Sequence, residues 1–282
     1  MRMGIDLAQM IDSFDLRAQG EGVFVAPATE ARPRNVVEGT HLLGQAIVAA
    51  SRIAPGQRTV SAHATVTRAA AWDADTRFSA ELRHKGRMIS SAAVEASQNG
   101  RLNASALVLL DAGAADLVRH HAPAPDVPAP TDCWLRDDGI EGREVRIVGE
   151  ADGVGPAERH AWVRFRQAPQ ELAMRQGLLV VHMGRETVEA ALRPHAHVSL
   201  GQAHGALSTG VLAFTAALHE DPDLSDWLLY VNTAVYAGHG LAQIEGRVYE
   251  RGGRLVASGT GQVLLRRMLG DPAAKGGRAR AM

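Results

Sequence analysis

Gly100-Arg101-Leu102-Asn103-Ala104-Ser105 returns later in the chain as Gly253-Arg254-Leu255-Val256-Ala257-Ser258, with five identities in six positions. The flanks agree as well. Ala92 to Asn99 precedes the first copy and Ala106 to Leu110 follows it; Ile244 to Gly252 precedes the second and Gly259 to Leu265 follows it. In both, an alternating apolar and polar run enters a turn at Asn-Gly or Gly-Gly, and a second run leaves it. These dipeptides tolerate the positive φ angles of a tight turn, so each copy reads as an antiparallel hairpin. Matching flanks make this an internal repeat, and the chain is read as two copies of one β-rich unit.

Working back from the first copy, Leu42, Leu43, Ala46, Ile47 and Ala50 fall at i, i+1, i+4, i+5 and i+8, one continuous helical stripe that Pro55-Gly56 ends. Strands are expected at 59–67, 77–84, 88–97 and 101–110. Upstream lie a short helix at 7–11 and a hairpin from Phe14 to Pro27 around Gly20-Glu21-Gly22. The second half repeats this plan. Strands are expected at 144–150 and 159–166, and a helix opens at Pro169-Gln170-Glu171, where proline loses no hydrogen bond. Leu172, Gln176, Leu179 and Met183 mark its inner face, and Gly184 is its expected C-terminal cap. A loop containing Pro194 then leads to strands at 206–218, 227–235, 241–249 and 254–266. Between the halves, residues 122–130 hold four prolines in nine positions, a polyproline-prone spacer. The expected division is an N-terminal unit at 1–118, a linker at 119–138, a C-terminal unit at 139–268 and a disordered tail at 269–282. The fold class is α+β: a helix against an antiparallel sheet, twice, with the two sheets joined edge to edge so that neither leaves an open inner edge.

Bulk properties narrow the function. The 282 residues allow two cores of ordinary size, and 46% hydrophobic with 22% charged residues describes a globular chain. A net charge of −1 argues against nucleic acid or an anionic membrane as the main partner. Cys133 is the only cysteine, which rules out an intrachain disulfide and fits a reducing compartment. Met1 to Phe14 lacks the apolar core of a secretion signal, and no apolar run reaches the roughly 18 residues of a membrane helix. A cytoplasmic location is expected. With 4% aromatic residues, any pocket would be lined by aliphatic side chains, which suit an acyl chain.

Gly39-Thr40-His41-Leu42-Leu43-Gly44-Gln45-Ala46, Trp227-Leu228-Leu229-Tyr230 and the second hairpin copy, set in this layout, resemble the acyl-CoA thioesterase II family over roughly residues 10–268. The resemblance implies a double hotdog, each half a helix wrapped by a curled sheet, and a homodimer. It implies hydrolysis of a fatty or other acyl thioester of coenzyme A to the free acid and thiol, with no cofactor. That family activates water with an Asp, a Thr and a Gln in its second hotdog. Counted from the matching motifs, those positions fall on Gly184, Val211 and Gly261, all without useful chemistry. Glu186, Thr209, Thr215 and Gln262 lie close by, although a one-residue slip in a strand turns a side chain to the other face. His41 stands where the family usually has Gln.

Thioester hydrolysis needs donors for the carbonyl oxygen and a basic group for water. Helix N-termini supply donors, because their first N–H groups have no partner inside the helix. Gly39, His41 and Gln45 are therefore candidate ligand-binding residues, and Gly177 permits close backbone approach in the second helix. Candidates for an altered catalytic set are His182, Thr215 and Gln262, with Glu38 as a further ligand contact and Glu186 read as a surface carboxylate. Against His182 stands the plain reading of a hydrogen-bonded core histidine. No metal site is expected: His120-His121 and His195-Ala196-His197 lack further ligands. The chain has no Gly-x-Ser-x-Gly elbow and no nucleotide-binding glycine loop, and Gly259-Thr260-Gly261 reads as close packing in a strand. Two other readings stay open. One is a protein that binds acyl-CoA without hydrolysing it; the other is a structural subunit with no ligand.

Overall fold

The structure is a computed structural model that describes residues 5–30, 34–137, 139–150, 153–202 and 206–268. The predicted tail at 269–282 lies outside the described residues. Four α-helices are present among these: α1 (Leu7–Asp12), α2 (Gly39–Ile53), α3 (Leu172–Met183) and α4 (Thr187–Leu192). The strands of the first half are β1 (Ile5–Asp6), β2 (Arg17–Gly20), β3 (Val23–Ala26), β4 (Arg58–Val66), β5 (Thr76–Lys85), β6 (Ile89–Gln98) and β7 (Arg101–Asp111). Those of the second are β8 (Trp134–Arg136), β9 (Ile140–Glu141), β10 (Arg143–Ile147), β11 (Glu158–Phe165), β12 (Leu207–Leu218), β13 (Leu228–Gly238), β14 (Leu241–Glu250) and β15 (Leu255–Arg267).

Thirteen of these strands form one sheet in the order β2-β3-β5-β6-β7-β4-β12-β15-β14-β13-β11-β10-β8. The order is nearly palindromic. Outward from the centre, β4-β7-β6-β5-β3-β2 on one side matches β12-β15-β14-β13-β11-β10 on the other. The repeated hairpin is therefore β6–β7 and then β14–β15. In the first copy Asn99 and Gly100 make the turn with φ of 50° and 71°, the conformation their sequence suggested. The halves join where β4 pairs antiparallel with β12, Thr65 opposite Ala213 through Ser61 opposite Ala217, so the two inner edges satisfy each other's backbone groups. This double hotdog is the fold expected from the sequence.

Both long helices lie on one face of the sheet and pack against each other. Thr40, near the start of α2, donates its hydroxyl to the Val181 carbonyl near the end of α3 (3.3 Å), so the helices run antiparallel. They cross at Gly44 and Gly177, the sixth residue of each. A Cβ built on Gly44 would lie 2.8 Å from the Gly177 carbonyl oxygen and 2.9 Å from the Phe14 ring. Sheet on one side and helix on the other bury every α2 residue from Thr40 to Ala50, so the sequence stripe marked only part of a helix that is enclosed all round.

The proline-rich stretch is not a free spacer. It lies on the opposite face of the second half-sheet, where Tyr249 Oη donates to the Pro123 carbonyl (3.1 Å) and Trp162 Nε1 to that of Pro128 (3.0 Å). Ala124 and Val127 pack there on Trp162, Trp227, Leu229 and Tyr249. Trp227-Leu228-Leu229-Tyr230 thus has two apolar faces: Leu228 and Tyr230 meet the helices, Trp227 and Leu229 meet the proline stretch.

Helix α4 was read from the sequence as loop. Short helices take their stability from tertiary contacts, and here two carboxylates provide them. Glu186 pairs with both guanidinium nitrogens of Arg136, and Glu189 pairs with Arg136 and Arg159. Glu186 is therefore buried, not the solvated carboxylate the sequence suggested; burial pushes its pKa up, but Arg136 outweighs this and holds it below the ordinary glutamate range. Gly184 does follow α3, but in the right-handed region (φ −82°) rather than as a left-handed cap.

Candidate functional site

The start of α2 meets the end of α3 at the seam between the half-sheets. Glu38, Gly39 and Thr40 come from the first, Gly184 and Arg185 from the second, Val66 from β4 and Val211 from β12. Contacts at Gly39 are close: a Cβ there would lie 2.8 Å from both the Val211 carbonyl oxygen and Val66 Cγ2. Glycine is therefore required by close approach, with α2 driven against the seam.

The Glu38 carbonyl accepts from His41 N (2.9 Å) and Leu42 N (3.2 Å), while the N–H groups of Gly39 and Thr40 take no hydrogen bond among the described residues. Helix geometry leaves such donors open at the N-terminus, where the helix dipole adds partial positive charge. Glu38 itself caps the helix with its backbone only, leaving its carboxylate free of the helix. Its side chain is 31% exposed and lies between Arg34 (3.8 Å) and Arg185 (3.7 Å). Burial alone would raise its pKa, but Arg185, Arg34 and, further off, His41 and Arg143 bring it below the ordinary glutamate range, so it is ionised at neutral pH. Two open N–H donors beside an ionised carboxylate and aliphatic walls can hold a carbonyl oxygen and orient a water.

Gly184 and Val211, two of the three positions at which the resemblance puts catalytic side chains, lie at this place. The two glycine positions, 184 here and 261 on β15, are each closed by a neighbour. A Cβ on Gly184 would lie 2.5 Å from Thr40 Cγ2 and 2.6 Å from its Oγ1, so Thr40 occupies the space of a side chain at 184. At Gly261 the ring of Phe214, its cross-strand partner, fills the space (2.7 Å). At Gly259 the Thr215 carbonyl oxygen is the nearest atom, with Met183 and the Phe214 ring beyond it, so close approach explains both strand glycines.

His182, Thr215 and Gln262 do not converge. His182 is buried between Phe165 and Tyr230, and Arg143 Nη1 donates to its Nδ1 (2.9 Å). Burial first, then Arg143, holds its imidazole well below the ordinary histidine range, so it is a neutral core histidine. Phe214 and Ala216 point inward from β12, so Thr215 points to the outer face, where its hydroxyl meets His63 Nδ1 (2.8 Å). Gln262 is exposed on that same outer face, between the buried Gly261 and Val263. A sheet separates these two side chains from the helix-lined interior that holds His182.

Of the three candidate ligand-binding residues, only Gly39 is at the seam. His41 is buried, stacked on Phe14 (4.8 Å) and bonded through Nε2 to Ser13 Oγ (2.8 Å). Gln45 donates to the Ser13 carbonyl (2.7 Å). Both tie α2 to the end of α1 rather than facing a ligand. Sequence reasoning missed Thr40, Arg34 and Arg185 as neighbours of Glu38. Each is local in sequence to a residue already singled out, but only the antiparallel packing of α2 and α3 brings 38–40 to 184–185. Among the described residues no three His, Cys, Asp or Glu side chains gather as a metal site would require, and no helix is long and apolar enough to cross a membrane.

Comparison with known proteins agrees with this architecture. The acyl-CoA thioesterase C-terminal domain family matches residues 115–265, and its N-terminal counterpart matches residues 30–110. Among solved structures, a tesB protein of Mycobacterium avium subspecies paratuberculosis superposes with a TM-score of 0.79 at 23% identity, over 92% of this chain and 99% of that one. The acyl-CoA thioesterase II TesB2 of Mycobacterium marinum gives 0.78 at 23% identity, covering 92% and 98%. A hot dog protein of unknown function from Alicyclobacillus acidocaldarius gives 0.77 at 19% identity, covering 93% and 99%. No curated protein sequence matches the chain. The fold is a double hotdog, and the two family matches make it a thioesterase-like protein. The chain belongs to the acyl-CoA thioesterase family.

Proposed function

We propose that this protein hydrolyses acyl-CoA thioesters at the start of α2. The thioester carbonyl sits on the N–H groups of Gly39 and Thr40, the acyl chain runs along Val66 and Val211, and Glu38 orients the attacking water. The observation that carries the reading is the pair of open helix N–H donors beside the ionised Glu38. Glu38 takes over a task that Gly184, Val211 and Gly261 have no side chains to perform. Membership of the thioesterase family supports the substrate class. A homodimer paired through the sheets is part of the proposal, supported by Ile89 (43% exposed), Leu107 (62%) and Leu109 (40%) on the outer face of β6 and β7. So is a cytoplasmic location, supported by the lone reduced Cys133.

The test is thiol release over short, medium and long acyl-CoAs, with heat-shift binding alongside. Glu38→Gln is expected to lower kcat by about 100-fold or more while substrate still binds. Because Glu38 is held ionised, the rate should stay level through neutral pH and fall only below the ordinary glutamate range, about 4.3. Full turnover in Glu38→Gln would remove Glu38 from the mechanism. A second reading, binding without hydrolysis, is favoured by Thr40 and Phe214 filling the space at Gly184 and Gly261. A heat shift with no thiol release would establish it.

A further inference from the structure

The two hairpin copies are superimposable in backbone pairing but opposite in charge. In the second half, the N–H groups of His219 and Glu220 both donate to the Val256 carbonyl (2.9 and 3.3 Å). In the first, the N–H groups of Thr67 and Arg68 both donate to the Asn103 carbonyl (2.8 and 3.2 Å). Val256 and Asn103 hold the same place in the repeated hexapeptide, so Arg68 is the counterpart of Glu220 and Arg101 that of Arg254.

In the second copy these residues neutralise each other. Arg254 pairs with Glu220 (3.2 Å) and with Glu250 (2.6 Å), and Glu220 also takes Arg119 (2.6 Å). In the first copy the glutamate has become Arg68, so two guanidiniums stand where an ion pair should be. Glu250 N donates to the Arg254 carbonyl across its turn (2.9 Å), and the residue paired with Arg101 across the other turn is Gln98. Gln98 is uncharged, with its amide spent on Ala71, Ala74 and Thr76. Neither Arg68 nor Arg101 has an ion-pair partner among the described residues, and Arg68 Nε is buried without a hydrogen bond.

With Gln98, Asn99 and Asn103, these arginines line an open pocket of about 460 Å³. Its position matters. Arg68 follows by two residues Val66, whose side chain touches Gly39, a span of about 7 Å along an extended chain. The Ala70 carbonyl accepts from Val37 N (2.8 Å), fixing this segment beside the entry to α2. Two like charges held in one pocket repel unless an anion joins them, and two planar guanidiniums suit the oxygens of a phosphate.

We propose that Arg68 and Arg101 form a phosphate subsite that holds the nucleotide end of coenzyme A while its thioester reaches the start of α2. The inference rests on the acyl-CoA reading above and extends it. Calorimetry on the full chain with coenzyme A and with pantetheine, which carries no phosphate, is the test. The wild type should bind coenzyme A at least tenfold more tightly than pantetheine, with an advantage that shrinks as salt rises. Arg68→Glu restores the charge pattern of the second copy and so should fold. It should raise the Kd for coenzyme A about tenfold or more and leave that for pantetheine unchanged, and Arg101→Gln should act in the same direction. Equal affinity for the two ligands, or a coenzyme A affinity untouched by either substitution, overturns the subsite. Loss of coenzyme A binding in Arg68→Glu of a protein that releases no thiol supports the subsite and sinks hydrolysis. Thiol release with a KM untouched by Arg68→Glu does the reverse.

Discussion

Glycine at 184 is complementary to threonine at 40. The Thr40 side chain lies within 2.6 Å of where a Cβ on residue 184 would stand, and its own Cβ lies at 3.1 Å. Gly184→Asp alone therefore has to displace a buried side chain, and overpacking of this kind costs about 1–3 kcal/mol. Thr40→Ala removes the two nearest atoms, so in the double variant part of that loss should return. Urea denaturation of the four proteins in the cycle measures the coupling, which is expected to exceed about 0.5 kcal/mol; strict additivity would show that the two positions do not compete for space. The sequence identified Gly184, Val211 and Gly261 as lacking chemistry. It could not show that Thr40 and Phe214 fill two of them, because both contacts cross between elements far apart in the chain. Glu38 was visible only as one carboxylate before a helix. Its weight comes from Arg185, which is remote in sequence.

At the scale of elements, the chain's periodicities were informative where one face was apolar and misleading where both were. Alternation in β12 fixes Phe214 and Ala216 inward, which sends Thr215 outward and breaks up the catalytic set read from sequence. Helix α2 gave a clear stripe, and Gly44 lies within it. Helix propensity alone would make Gly44→Ala stabilising by about 1 kcal/mol. The crossing reverses the sign. The new Cβ would meet the Gly177 backbone at 2.8 Å and Phe14 at 2.9 Å, so thermal melting should show a net loss of about 1–3 kcal/mol. A melting temperature raised by the substitution would mean the helices can part at no cost. Helix α4 was invisible to this reasoning because it is held by buried ion pairs to Arg136 and Arg159, and pairs between β8, β11 and a six-residue helix leave no periodic trace.

Across the whole molecule, enclosure of the helices by one continuous sheet sets how the protein meets acid. His182 is neutral in the folded state because burial and Arg143 disfavour its charge, whereas in the unfolded chain it titrates near 6.5. The unfolded state then binds the extra proton first. Stability from this group is complete above about pH 6.5 and is lost as pH falls below it toward the lower folded value. His182→Gln keeps a group that can accept from Arg143 and removes the titration. Its melting temperature should fall less steeply than that of the wild type between pH 7 and pH 5, and an identical slope would show that His182 is not buried neutral.

The sequence by itself determined the repeat, both long helices and nearly every strand. Those features rest on local periodicity and turn chemistry, written in adjacent residues. Only the tertiary structure decided which side chains share a place: Thr40 over Gly184, Glu38 between Arg34 and Arg185, Arg68 beside Arg101. Each of these depends on antiparallel helix crossing or on register between strands, and neither is encoded by spacing along one segment. The repeat shows the same division within one molecule. Two nearly identical hexapeptides pair with their partner strands in the same way, and the residue packed beside each, Glu220 in one half and Arg68 in the other, decides whether its arginine finds an ion-pair partner.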